Sequence, residues 1–361
     1  MKGSLLVLIA AALLVAGCTQ SPAPAATPSP TSPPLAGPTG PATAPPVPAS
    51  LSPAPTPAAP PLPASPPFQP APTSVPTPTS LPKLSIEWTR DSGTRVADGS
   101  VPFGWRLADG RTRLYYCGKG GIRSAISSNG LDFADEPGTR MAPDPSSTYE
   151  RVVCDPTLVA LEDGRVRMYY KGGDGKEGGP GTAVHKVFSA VSSDGLTFTK
   201  EGLRIDPDKT GDRGWASVPE AIKLPDGRVR IYYVTGDLEN NNGIASAISN
   251  DGLTFTKEPG ARVRNLVDPA LLLLPDGRFL LLAANPGAYR DIPAGIYAYT
   301  SQDGLTFGDR QTVLQQSMVF DPTVLQLDGS TLRVFFGAQS GQGGPGQMPS
   351  MSTQSATGKV K

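Results

Sequence analysis

An all-β fold, a five-bladed β-propeller with four antiparallel strands per blade, is predicted by three features of the sequence. The first is the stretch from Val218 to Glu258, VPEAIKLPDGRVRIYYVTGDLENNNGIASAISNDGLTFTKE, which divides at its turns into four short β segments. Asp-Gly pairs at Asp226-Gly227 and Asp251-Gly252 mark tight hairpins, since both turn positions can take positive φ at low cost. The second is recurrence. LADGRTRLYY, LEDGRVRMYY, LPDGRVRIYY, LPDGRFLLLA and, altered, LDGSTLRVFF begin at Leu107, Leu161, Leu224, Leu274 and Leu327. SAISSNGLDF, SAVSSDGLTF, SAISNDGLTF and YTSQDGLTF follow the first four, at Ser124, Ser189, Ser246 and Tyr299. The third is a strand missing from one end and supplied by the other. After the fifth first hairpin only MPSMSTQS remains, whereas Ile86 to Val96 lines up with LTFTKEPGARV from Leu253, with Trp88 at the position of Phe133, Phe198, Phe255 and Phe307. A repeat of roughly 50 to 60 residues carrying four strands is the signature of a propeller blade, and here the N-terminal strand closes the last one.

In chain order, Met1 to Cys18 reads as a targeting segment: one Lys, an apolar run from Leu5 to Val15, and the ending Val15-Ala16-Gly17-Cys18. The run is short for a bilayer, which needs about 20 residues. The ending resembles the lipobox of bacterial lipoproteins, which implies acylation of Cys18 and a lipid-anchored location at the bacterial cell surface or in the periplasm, with membrane contact through the anchor only. Residues 19–83 are almost entirely Pro, Ala, Ser and Thr, a composition that buries no core and favours extended chain. At ~3.1 Å per residue such a tether reaches on the order of 200 Å. Residues 84–357 are expected to form the propeller and 358–361 a short tail. A propeller grows by adding blades that pack on their neighbours, so a single domain of this size, and a monomer, is expected.

Lys plus Arg and Asp plus Glu both number 32, so no net field attracts nucleic acid. A lone histidine, His185, and the absence of a cysteine cluster argue against a zinc site or a Ser-His-Asp triad. No cofactor is expected, although the channel leaves room for an oxygen-ligated ion such as calcium. Cys117 at the end of a second strand and Cys154 at the start of a first strand fall at the same edge of neighbouring sheets. Either a disulfide or two buried thiols fits that placement.

Both kinds of hairpin turn must lie on one face of the propeller, where they are short. The connections of uneven length gather on the other face, and long loops on a rigid scaffold are where binding resides. The inner strands also begin there: Val101-Pro102-Phe103, Asp155-Pro156-Thr157, Val218-Pro219-Glu220, Asp268-Pro269-Ala270 and Asp321-Pro322-Thr323. Three blades thus present an Asp at the channel mouth. Side chains two apart on a strand point the same way, which places Glu220 in the same channel about 6 to 7 Å deeper.

Five blades, Asp-Pro at the start of inner strands, a Glu on a later blade and S-x-D-G-L-T-F hairpins resemble the five-bladed glycosidases that include arabinanases, β-xylosidases, invertases and levansucrases. The resemblance spans the folded domain. It implies carbohydrate as partner, a carboxylate that activates water or attacks carbon, and a carboxylic acid that protonates the leaving oxygen. Carried onto this sequence, Asp155 matches the base or nucleophile and Glu220 the acid, which leaves Asp268 or Asp321 to grip hydroxyls. Burial and neighbouring like charge would keep Glu220 protonated. The sequence departs from that pattern at Val101, where only Asp98 lies nearby, and at Glu220, which follows its Pro rather than preceding it. These departures leave a non-catalytic glycan- or protein-binding propeller as the alternative. Trp215 and Tyr149, in loops on the channel face, are candidates for stacking on sugar rings, and Arg151, Arg213 and Arg264 for binding an acidic sugar.

Overall fold

The computed structural model describes residues 82–237, 243–340 and 350–361. Strand β1 (Ile86–Arg90) belongs to the last blade. The first complete blade is β2 (Ser100–Arg106), β3 (Thr112–Gly118), β4 (Gly121–Ser127) and β5 (Ala134–Asp135). The second is β6 (Val152–Ala160), β7 (Val166–Gly173), β8 (His185–Ser192) and β9 (Thr199–Ile205). A four-residue helix, α1 (Pro207–Thr210), leads to the third blade, β10 (Ala216–Lys223), β11 (Val229–Thr235), β12 (Gly243–Ser249) and β13 (Thr256–Arg264). The fourth is β14 (Val267–Leu273), β15 (Phe279–Asn285), β16 (Gly295–Ser301) and β17 (Gly308–Leu314). β18 (Val319–Gln326), β19 (Thr331–Gln339) and β20 (Met351–Val360) make the fifth, completed by β1. All five sheets are antiparallel and four-stranded.

The N-terminal strand closes the ring as the repeat requires. Ile86 pairs with Val360 and Trp88 with Gly358, so residues 358–360, expected as a tail, are part of β20. They are drawn into the sheet because β1 needs a full-length partner for its backbone N–H and C=O groups.

The hairpin turns differ in detail from the expectation. Among the turn residues only the glycine takes positive φ (87° at Gly227, 70° at Gly252), while the preceding aspartates stay in ordinary conformations. Asp226 instead accepts from the backbone N–H and the guanidinium of Arg228, so the carboxylate fixes the turn by hydrogen bonding rather than by its backbone.

The core lies between blades. Val159 and Tyr169 of the second blade pack on Ala221, Ile231 and Tyr233 of the third, and the fourth and fifth blades share a larger apolar cluster. On the turn face, each of the first three blades latches to the next through a tyrosine whose hydroxyl donates to a turn carbonyl: Tyr115 to Gly195, Tyr169 to Gly252 and Tyr232 to Gly304, at 2.8, 2.7 and 2.7 Å. A Cβ on Gly195 would stand 2.8 Å from the Tyr115 hydroxyl, so that turn needs glycine for approach as well as for φ. A phenylalanine from the next blade's turn meets the same ring edge-on, as Phe255 does Tyr169 at 5.7 Å. These contacts make the turn face structural and leave the opposite face to carry the site.

Candidate functional site

Every inner strand opens with the same backbone irregularity. Val101, Asp155, Val218, Asp268 and Asp321 all sit in the left-handed region, with φ of 54°, 53°, 48°, 57° and 47°. At each, the pairing of the first and second strands slips between the residue before it and the second residue after it, a β-bulge. Aspartate tolerates this conformation better than most residues, whereas valine, being β-branched, is strained there. The bulge ends the simple alternation of the strand.

The three aspartates have unequal surroundings. Asp155 is buried and fully engaged: Lys171 Nζ of β7 lies 2.9 and 3.1 Å from its two oxygens, and the Val218 N–H of the next blade donates to Oδ2 at 3.1 Å. Asp268 is buried too and accepts from the Asp321 N–H at 3.2 Å. Burial pushes its carboxyl above the usual carboxylate range, the Asp321 N–H opposes the rise, the charge of Asp155 adds to it, and Lys171 offsets part. Asp321 is partly exposed, and among the described residues no hydrogen bond reaches its carboxylate. Its acidity is also weakened, first by burial of the carboxyl among its neighbours and then by the charges of Asp268 and Asp155, again against Lys171. Asp321 is therefore the one aspartate of the three whose carboxylate has no hydrogen-bond partner among the described residues, whereas Asp155, expected as base or nucleophile, is held by Lys171.

Glu220 does not join this ring in the expected way. Because the register slips between Ser217 and Glu220, the rule that side chains two apart face alike fails across the bulge. Its Oε1 instead accepts from the Leu271 N–H of the fourth blade at 3.2 Å. Thr157 and Thr323, at the matching positions of the second and fifth blades, do the same with hydroxyls, accepting from Ala221 N–H at 3.0 Å and Gly104 N–H at 3.2 Å. Burial alone pushes the Glu220 carboxyl up to about 8, against the lowering effects of the Leu271 N–H and the Thr157 hydroxyl. Neighbouring like charge, expected as a second cause, does not contribute.

Cys117 and Cys154 are joined by a disulfide with Cα atoms 5.4 Å apart, linking the first blade to the start of the second. The Cys117 sulfur also accepts from the Asp155 N–H at 3.2 Å, so the bridge lies directly behind that carboxylate. Trp215 is packed rather than presented: it is 2% exposed, and His185 covers one face of its ring at a centroid distance of 3.7 Å. Tyr149 is half-buried, with Lys186 Nζ 4.4 Å above its ring. Arg151 and Arg213 are exposed in loops, Arg151 donating to the Ser147 carbonyl at 3.3 Å, whereas Arg264, expected in a loop, is the exposed last residue of β13, where it pairs with Gly243. Asp98 is exposed in the turn before β2 and does not replace the carboxylate that Val101 lacks. Cys18 lies outside the described residues.

Sequence reasoning passed over Lys171, and it used His185 only to argue against a zinc site or a triad. His185 opens β8, is 2% exposed, and its Nδ1 lies 3.0 Å from the Ser217 hydroxyl. Burial, with a smaller effect from the charge of Lys171, holds the imidazole well below its usual range, so it is neutral at pH 7. Tyr289 stands close enough to Asp268 for that charge, after burial, to weaken its phenol. The sequence does carry one signal for Lys171: it follows the repeated YY of the second strand at a position where the other blades have no charge.

The sequence matches no protein-family model, and no curated protein matches it. Solved structures do. A family 117 glycoside hydrolase from the marine bacterium Zobellia galactanivorans is 15% identical, over 77% of this chain and 90% of that chain, with a TM-score of 0.57. An α-L-arabinofuranosidase from Lactobacillus brevis is 16% identical over 72% of this chain and 91% of that chain, with a TM-score of 0.56. A thermostable family-43 glycoside hydrolase is 18% identical over 75% and 91%, with a TM-score of 0.54. The chain has the five-bladed fold of glycoside hydrolases. At these identities the likeness is one of fold, and the chemistry rests on the channel residues described above.

Proposed function

We propose that this protein is a lipid-anchored propeller of the bacterial cell surface or periplasm that takes carbohydrate into its channel mouth and cleaves a glycosidic bond there. The observation that carries the reading is the Asp155, Asp268 and Asp321 ring, in which the Asp321 carboxylate has no hydrogen-bond partner among the described residues. In this reading Asp155, paired with Lys171, acts as base or nucleophile, Glu220 supplies the proton that its burial retains near neutral pH, and Asp268 and Asp321 hold sugar hydroxyls. Anchoring is supported by the sequence from Met1 to Cys18, and the tether of residues 19–83 would hold the domain clear of the membrane.

A specific observation favours a second reading, in which the channel binds a glycan without cleaving it. Glu220 makes the same inter-blade hydrogen bond as the threonines at its register, a bond that scaffold alone explains. The two readings separate in one experiment. The whole chain is incubated with arabino-, xylo-, fructo- and manno-oligosaccharides and aryl glycosides, beside Asp321→Asn and Glu220→Gln. Release of sugar that both variants abolish supports hydrolysis. Saturable binding without release, weakened by Asp321→Asn alone, supports the binding propeller. Neither release nor binding refutes both.

A further inference from the structure

The repeat register isolates one side chain at the channel mouth. The second-strand residue paired with the position before each left-handed residue is Cys117, Lys171, Val234, Ala284 and Gly337 in successive blades. Four are small or apolar, and one is a cation. The scaffold therefore does not require charge at this position, and a lysine 7% exposed is costly to bury without a partner. Its partner is Asp155, met through both oxygens, and Asp155 in turn receives the Val218 N–H of the next blade. The ammonium contacts Asp155 from β6, and the other titratable groups that feel its charge are His185 from β8, Asp268 from β14 and Asp321 from β18. Glu220 from β10 is outside this set, its carboxyl being answered by Leu271 and Thr157.

We propose that Lys171 is the shared counter-cation of the carboxylate ring: it fixes the orientation of Asp155 and, through its charge, limits the mutual repulsion of Asp155, Asp268 and Asp321. Lys171 is thus a positioning residue, acting on a bound ligand through the aspartates. Its consequence for turnover rests on the glycan reading above, but the assignment itself does not.

The direct test follows the aspartate carboxyl carbons of the whole chain by NMR as pH is raised. Lys171→Met removes the charge while keeping the length of the side chain, and Lys171→Arg keeps the charge. With the cation gone, the midpoints for Asp268 and Asp321 rise by about one pH unit or more. In Lys171→Arg they stay near the wild-type values. Unmoved midpoints in a folded Lys171→Met protein would overturn the assignment. A second measurement needs no change at Lys171: with nitrogen-labelled lysine, the Lys171 ammonium protons exchange slowly in the wild type and rapidly in Asp155→Asn. Rapid exchange already in the wild type would equally overturn it. Where sugar release is observed, Lys171→Met shifts its pH profile upward and Lys171→Arg restores it. If no glycan is turned over, the two NMR measurements still decide the role of Lys171.

Discussion

Glu220→Gln isolates the energetic effect of one buried carboxyl. The ordinary value for a glutamate is near 4.5, and burial raises Glu220 to about 8. Between these limits the folded protein keeps a proton that the unfolded chain releases. The folded state then binds more protons, so its stability falls as pH rises, at up to ~1.4 kcal/mol per pH unit. Across the window this amounts to on the order of 5 kcal/mol for the wild type. Glutamine stays neutral throughout, and its amide oxygen can still accept from the Leu271 N–H. The variant should therefore match the wild type near pH 4.5 and become progressively more stable than it toward pH 8. Asp268 and Asp321 are displaced in the same direction, but both proteins carry them, so they cancel in the difference. Urea denaturation of the two proteins in parallel at a series of pH values reads that difference. A gap that stays constant with pH would refute the claim that Glu220 is held protonated by burial.

Two further outcomes follow from the same geometry. Replacing Cys117 and Cys154 together by Ser opens a link spanning 37 residues, and the chain-entropy estimate for a loop of that length is a loss of about 4 kcal/mol. Urea midpoints with and without a dithiol should show this loss in the wild type and no response in the variant. Val101→Asn places a residue that tolerates left-handed backbone where a strained valine now sits, and should raise stability by about 1 kcal/mol, visible as a higher thermal midpoint. An unchanged midpoint would mean that the valine is not strained.

Blade number, strand order and ring closure were legible because each is written as local text. The Asp-Gly of the first hairpin recurs five times and the YY of the second strand three times, and the alignment of Ile86 to Val96 with the strand after Leu253 showed which end supplies the last strand. A period-2 pattern between turns needs no distant contact to be read. The Asp-Pro openings likewise pointed to the channel mouth, where Asp155, Asp268 and Asp321 are found.

The sequence by itself determined which residues surround the channel, while the tertiary structure decided what each one does there. Asp155, Asp268 and Asp321 share a motif, yet one is held by Lys171, one by a backbone N–H, and one has no hydrogen-bond partner among the described residues. Glu220 was assigned by strand alternation, which the bulge at Val218 interrupts, and its carboxylate accepts from the Leu271 N–H of the next blade. Trp215 became core because a histidine thirty residues earlier in the chain stacks on it. A carboxylate's role depends on which donors and charges from other blades come within a few ångströms, and those distances exist only once the five blades have closed around one axis.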